Sequence, residues 1–312
     1  MSHPTTAPPR LTIGVPVFDG EKYLDRALRS VAEQSDGDFE VLIADNASTD
    51  ATEEIAREWV ARDARFSYHR HDTNIGGARN SNFLLERCRS RWFKWAYHDD
   101  VCDEGMVARS FETLAAAPAG TVLAYPRVCL IDEEEVVVGR HDDGDLRLDQ
   151  PAAHDRLRVL LARVVTQTQF GIMEAEVARA AGGVVVSSAG EMLLPAALAI
   201  RGRLALVPGD PIVSIRVHGD RHGGSRESEM AWVDPSRPRT AFPYSRSTPM
   251  LLDIVARSPL SLREKSLCAV AVLRWWTVPS ARTIAGDIVR LPSDLGLVPR
   301  ARRANVPSGS DP

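Results

Sequence analysis

Leu11-Thr12-Ile13-Gly14-Val15-Pro16-Val17 is a short apolar run, and the segments after it set the architecture. Lys22 to Gln34 places Tyr23, Leu24, Ala27, Leu28 and Val31 on one helical stripe. Phe39 to Ala44 is a second apolar run. Asp50-Ala51-Thr52-Glu53 has the pattern of a capping box, an acidic N-cap with Glu three residues on, and opens a helix to about Ala61. Phe66 to His69, Gly77 to Cys88 and Trp92 to Tyr97 continue the series as strand, helix and strand. Strands alternating with helices predict parallel β-α-β units around a central sheet.

The second half is less regular. Thr121 to Leu130 reads as one strand, followed by an acidic turn, Asp132 to Glu135, into Val136 to Val138. Asp142 to Asp145 reads as a mobile loop and Ala152 to Val165 as a helix. Glu191 to Ile200 is an apolar helix interrupted near its start by Pro195. Leu204 to Val207 and Val213 to Val217 read as short strands, and Leu251 to Trp276 as two amphipathic helices. The expected division is a flexible 1–10, a large domain over 11–220 and a Gly-, Ser-, Arg- and Pro-rich linker over 221–248. A helical extension over 249–300 and a disordered tail over 301–312 follow.

Composition limits the function classes. The 312 residues are 44% hydrophobic and 26% charged, as in a globular protein, with a net charge of −4. A balanced, slightly acidic surface argues against a nucleic-acid binder. Cys88, Cys102, Cys129 and Cys268 form no C-x-x-C pair, so they read as reduced thiols. Met1 to Arg10 holds three prolines and no apolar run, which does not read as a signal peptide. No stretch approaches the roughly 18 apolar residues of a membrane span. The expected location is cytoplasmic, free or peripheral at the inner membrane face.

Ligands of parallel sheets sit beyond the carboxyl ends of the strands. Asp19, Asp45 with Asn46, Asn74, and His98-Asp99-Asp100 follow four successive strands and therefore point to one crevice. Paired carboxylates at a strand end suit a hard divalent cation that keeps positions open for phosphates; helix capping is the plain alternative. Asp45 and Asn46 can read the N–H and C=O groups of a nucleobase edge. Asn74-Ile75-Gly76-Gly77-Ala78-Arg79 puts glycines and a helix N-terminus where an anion can approach. A turn, with Arg79 in solvent, is the alternative there.

Val15-Pro16-Val17-Phe18-Asp19-Gly20, Asp45-Asn46-Ala47-Ser48-Thr49-Asp50, Asn74-Ile75-Gly76 and Lys94-Trp95-Ala96-Tyr97-His98-Asp99-Asp100 resemble the family 2 glycosyltransferases of the GT-A fold. The resemblance covers about residues 10–220 and is specific over its first 100; it implies that 11–220 is the catalytic domain, with about 11–100 its nucleotide-binding half and about 101–220 its acceptor half. It implies an α/β, Rossmann-like, mostly parallel sheet flanked by helices, here with a C-terminal helical extension. It also implies a nucleotide-sugar donor, UDP-linked first, and Mg²⁺ or Mn²⁺. By resemblance, Pro16, Val17, Phe18 and Glu21 line the base and ribose pocket, Asp45 bonds the base, and Asn74, Gly76 and Arg79 belong to the donor site. The acidic pair matches the D-x-D motif, with His98 at its first position. That makes Asp100 the metal ligand and Asp99 a sugar or ribose contact.

Phe170-Gly171-Ile172-Met173 and Ala189-Gly190-Glu191-Met192 are similar to the segment that supplies the family's base, where Asp is usual. Glu191 is thus the expected base, its carboxylate displaced by ~1.5 Å; a helix N-terminal acid is the alternative. Asp142, Asp143 and Glu174 are the next carboxylates. Arg216-Val217-His218 resembles an element that provides a further ligand, so His218 joins Asp100 as a candidate for the metal. Ala271-Val272-Leu273-Arg274-Trp275 echoes Q-x-x-R-W of processive synthases but lacks the Gln, and reads as core or interface. The expected activity is inverting transfer of a sugar to an acceptor hydroxyl on a glycan, a lipid-linked sugar or a small molecule. The rival readings are a nucleotidyltransferase and a nucleotide-binding pseudoenzyme.

Overall fold

The computed structural model describes residues 8–140, 146–163, 167–185, 190–218 and 245–281, without the side chains of 190 and 191. A seven-stranded sheet has the order β10-β6-β9-β4-β1-β2-β3. Its first half is β1 (Leu11–Val17), β2 (Phe39–Asp45), β3 (Phe66–Arg70) and β4 (Trp92–Trp95), all parallel. The helices between them are α1 (Leu24–Ala32), α2 (Thr52–Arg62) and α3 (Gly77–Arg87). The carboxyl ends of four neighbouring strands therefore share one edge. Pro16 lacks an N–H but costs no ladder bond toward β4, because that pairing stops at Gly14 opposite Trp95.

The rest of the sheet consists of β6 (Thr121–Tyr125), β9 (Ile172–Glu174) and β10 (Arg203–Leu206). β9 runs antiparallel between β4 and β6. A second sheet, order β5-β11-β7-β8, holds β5 (Val101–Cys102), β7 (Val128–Ile131), β8 (Val137–Arg140) and β11 (Val213–Arg216). The stretch read as one strand over 121–130 is thus two. The chain leaves the large sheet at Pro126-Arg127, where the missing proline N–H ends the ladder, and enters the small one. β5 and β9, of two and three residues, carry too short a pattern to be read from sequence.

The core lies on both faces of the large sheet. One face is filled by Leu24, Leu28, Trp59 and Val107, from α1, α2 and α4 (Met106–Ala116). On the other, Leu84 of α3 shares one cluster with Leu157 and Leu160 of α5 (Ala153–Arg163). α6 (Ala175–Ala180) and α7 (Gly190–Arg201) add Ala178 and Leu198; α7 runs through Pro195 without a break. α8 (Ser247–Arg257) and α9 (Leu262–Val272) bury Leu251, Val255, Cys268 and Val272 in the same cluster. The C-terminal helices are therefore part of the main core, and α8 begins inside the stretch read as linker. The four cysteines are unpaired and buried. Burial pushes the Cys268 thiol up to about 12.

Gly171 fixes the approach of β9 to β6. A Cβ there would stand 2.3 Å from the Ala124 carbonyl oxygen and 2.9 Å from Tyr125 Cα, so the backbone would have to move. Gly171→Ala is expected to cost about 1–3 kcal/mol in urea unfolding. An unchanged midpoint would mean that the strand pair slides to make room.

Candidate active site

At the shared strand edge, side chains stitch the β1–α1 and β2–α2 loops together. Ser48 Oγ accepts from the Asp19 N–H at 2.9 Å, and Thr52 Oγ1 from the Gly20 N–H at 2.8 Å. Asp19 Oδ1 accepts from the Thr49 N–H at 2.7 Å. Glu21 and Asp50 exchange bonds across the gap: Asp50 accepts the Glu21 N–H at 2.9 Å, and Glu21 accepts the Ala51 N–H at 3.0 Å. Asp50 also accepts the Thr52 N–H and hydroxyl, at 3.0 and 2.6 Å. It thus caps α2 from outside the box geometry, and Glu53 pairs with Arg57 and Arg70 instead of reaching back.

Asp45, at the end of β2, is fully buried. Its carboxylate accepts the Ser48 N–H and hydroxyl at 2.8 and 2.6 Å, the Tyr68 hydroxyl at 2.6 Å and Arg70 at 2.8 Å. Burial, then the bond to Asp45, pushes the Tyr68 phenol above its ordinary value. Next to it, Asn46 and Asn74 form an amide clasp. Asn46 Nδ2 donates to Asn74 Oδ1 at 2.8 Å, and Asn46 Oδ1 accepts the Ile75 N–H at 2.8 Å. Asn74 Oδ1 also accepts the Gly76 N–H at 2.9 Å. Gly76 sits at φ +90°, ψ 148°, which a side chain would strain, and starts α3. Arg79 is exposed on the first turn and donates to the Ile75 carbonyl at 3.2 Å.

Pro16 and Val17 are buried in β1 opposite Ala44 and Asp45, and Phe18 is half-buried just beyond. His98 packs on Gly20, where an added Cβ would lie 2.8 Å from His98 Cδ2. Asp99 and Asp100 follow. Asp100 is buried and accepts the Arg216 N–H at 3.1 Å; the Asp99 carboxylate lies 3.3 Å from His218 Nε2. The His218 ring stacks obliquely on Tyr23, and its Nδ1 is buried without a hydrogen-bond partner among the described residues. The structure thus brings Asp99, Asp100 and His218 together. Glu191 lies in the first turn of α7, its side chain outside the described residues. Asp142 and Asp143 also lie outside them, and Glu174, at the end of β9, pairs with Arg91 at 3.5 Å.

Two cations that the sequence reading passed over lie beneath the acidic pair. Arg216, 2% exposed, donates to the Asp99 carbonyl at 3.0 Å, the Asp132 carbonyl at 2.9 Å and Glu135 Oε1 at 3.0 Å. Its only sequence signal was proximity to His218. Lys94 is buried in β4 and donates to the Phe170 carbonyl at 2.5 Å. Burial pushes its ammonium below the ordinary value, against the fields of Cys102 and Asp100. The acidic turn 132–135 is held by Lys22 on Glu133 and Arg26 on Glu135. Burial opposes ionisation of Glu135, but the bonds from Arg26 and Arg216 outweigh it and hold the carboxyl below the usual range.

Residues 12–163 match the family model described as Glycosyl transferase family 2. An uncharacterized glycosyltransferase of Rickettsia typhi is 25% identical over 129 residues, 41% of this chain and 39% of its own. Glycosyltransferase GlyA of Streptococcus pneumoniae is 26% identical over 106 residues, 34% of this chain and 15% of its own. The chain spans about two fifths of the length of the first curated relatives it matches. Among solved structures, S. aureus TarS in complex with UDP-GlcNAc aligns over 93% of this chain and 84% of its own, with TM-score 0.62 and 14% identity. The mannosyltransferase PcManGT of Pyrobaculum calidifontis, in complex with GDP-Man and Mn²⁺, covers 95% and 82% with TM-score 0.53 and 17% identity. The segment that matches the family model lies in the GT-A fold shared with these structures, and no described helix is long and apolar enough to cross a membrane.

The Glu135 carboxyl, held low, contributes stability that is present above about pH 4.3, its ordinary range, and lost as pH falls through the depressed value. The stability gap between the parent and Glu135→Gln should therefore be widest near neutral pH and shrink in acid, read by urea unfolding at about pH 7 and about pH 3. A gap independent of pH would show that the turn is held without this charge.

Proposed function

We propose that the chain is a metal-dependent, inverting glycosyltransferase that moves a sugar from a nucleotide-diphospho-sugar, UDP-linked first, to an acceptor hydroxyl. The observation that carries the reading is the convergence on one edge of the parallel strands of Asp45, the Asn46–Asn74 clasp and the Asp99–Asp100 pair, all within the segment that matches the family 2 model, with His218 from beyond that segment beside Asp99. TarS with UDP-GlcNAc and PcManGT with GDP-Man support a sugar nucleotide as the ligand class.

In this reading Pro16, Val17, Phe18 and Glu21 flank the base and ribose, and Asp45 faces the base through the network it organises with Tyr68 and Arg70. The backbone of Asn74 to Gly76, the start of α3 and Arg79 bind phosphate oxygens, since a helix N-terminus favours an anion. Asp99 holds a hydroxyl of the ribose or the sugar. For the cation, Asp100 offers carboxylate oxygen and His218 an imidazole nitrogen, Nδ1, that lacks a partner among the described residues. No group of three such ligating residues occurs among the described residues. Such a sparse set fits Mg²⁺ or Mn²⁺ completed by diphosphate and water, not a structural metal held by protein alone. A bound cation supplies positive charge against the negative charge growing on the leaving diphosphate. Glu191 takes the acceptor proton, and the hydroxyl attacks opposite the leaving group, so the anomeric configuration inverts. The site operates in the cytoplasm, where sugar nucleotides are made and thiols stay reduced.

Two measurements test this. In a thermal-shift titration, UDP-GlcNAc should stabilise the protein more with Mn²⁺ than without, and Asp100→Asn should lose the metal-dependent increment while still folding. Glu191→Gln should keep near-normal donor affinity but transfer about 10²–10⁴-fold more slowly. Full turnover in excess EDTA would overturn the metal assignment, and undiminished turnover in Glu191→Gln would overturn the base. Donor binding with no transfer to any hydroxyl acceptor would leave a nucleotide-binding protein without the activity.

A further inference from the structure

Among the described residues, ten large apolar side chains stand exposed, and five of them lie on α9 and the turns that follow it: Leu262 (84%), Leu267, Val270 (58%), Leu273 and Val278 (69%). At about 100° per residue, Leu262, Leu267, Val270 and Leu273 fall within one arc of about 140°. Arg263 and Arg274 lie inside the same arc, both exposed, with Ser266 between them. The arc holds no carboxylate. The acid of α9, Glu264, turns away and accepts from the His154 N–H at 3.0 Å, with its ring Nδ1 at 2.8 Å. Lys265 likewise turns aside, to the Ala256 carbonyl at 2.6 Å. The opposite face of α9 buries Cys268, Ala271 and Val272 in the core. Past its end Trp275 and Trp276 turn to the core side, half-buried against the main cluster, with Trp276 Nε1 donating to Ser247 Oγ at 2.9 Å.

We propose that this face docks on an anionic lipid surface, with α9 lying flat in the interface. A helix face made of leucine, valine and arginine matches the layering of a membrane surface. There the apolar side chains enter the acyl boundary and the cations meet lipid phosphate. Charge excludes the other simple occupant, a second copy. Symmetric pairing of two such faces would bring four arginines together with no carboxylate on either face to receive them. The docking is peripheral and reversible, because one helix face with two cations gives modest affinity. It is independent of the proposed activity.

The test is co-sedimentation of the full chain with vesicles of phosphatidylglycerol and phosphatidylcholine, against vesicles of phosphatidylcholine alone. The parent should pellet with the anionic vesicles and be released by salt. Val270→Glu combined with Leu273→Glu should lower partitioning at least about tenfold. Arg263→Gln and Arg274→Gln should each lower it about fivefold, the equivalent of about 1 kcal/mol per cation. All four positions are exposed, and an unchanged far-UV circular dichroism spectrum confirms folding of the variants. A parent that stays in the supernatant with anionic vesicles, or variants that pellet equally, would overturn the proposal. So would light scattering that shows a dimer lost in the Val270→Glu, Leu273→Glu variant, since a second copy would then be the occupant.

Discussion

The acidic end of the strand edge depends on one buried guanidinium. Arg216 leaves the small sheet at the end of β11 and reaches under the acidic pair that follows β4 of the large one. Its donors meet two kinds of acceptor, the main-chain carbonyls of Asp99, Asp132 and Glu133 and the carboxylate of Glu135. Its own N–H goes to Asp100. A planar fork of five donors can satisfy such a spread of acceptors, and a lysine cannot. The two sheets are thereby joined at the point where carboxylates would otherwise repel, and the pair is held before any ligand arrives. Arg26 and Lys22 repeat the arrangement nearer the surface, so the acidic turn is gripped from α1 as well as from β11.

The half of the fold nearest the N-terminus was legible because each of its elements carries a full period of pattern. β1, β2 and β3 begin where the apolar runs begin, and α2 and α3 end within a residue of the expected limits. Legibility fails where pattern is short or shared. β5 and β9 are too brief to alternate, and β6 and β7 looked like one strand because both are apolar and only Pro126 divides them. The polar positions at the strand ends were legible. What each position touches was not, because Arg216 and Lys94 act through burial and long-range contact, and neither leaves a periodic trace.

The polar residues at the strand ends serve the chain as well as any ligand. Asp19, Glu21, Asp50 and Ser48 all spend hydrogen bonds on main-chain N–H groups of the facing loop. Those N–H groups would otherwise sit unpaired beside helix starts, at a cost of about 1–3 kcal/mol each when buried. Asp45 goes furthest, with donors on both oxygens from Ser48, Tyr68 and Arg70. A ligand at this edge therefore meets loops that are already tied in place, and little ordering remains to be done on binding.

The four unpaired cysteines give the molecule a built-in clock. Each is buried, and they are spread across the fold: Cys88 at the end of α3, Cys102 in β5, Cys129 in β7 and Cys268 in α9. Burial raises the thiols of Cys88, Cys102 and Cys268, so little thiolate exists in the closed state. Alkylation must wait for each neighbourhood to open, and its rate then reports the opening free energy of that neighbourhood. Four sites in four elements divide the chain into separately timed regions: the small sheet by Cys102 and Cys129, the end of α3 by Cys88, and the seating of the C-terminal helices by Cys268.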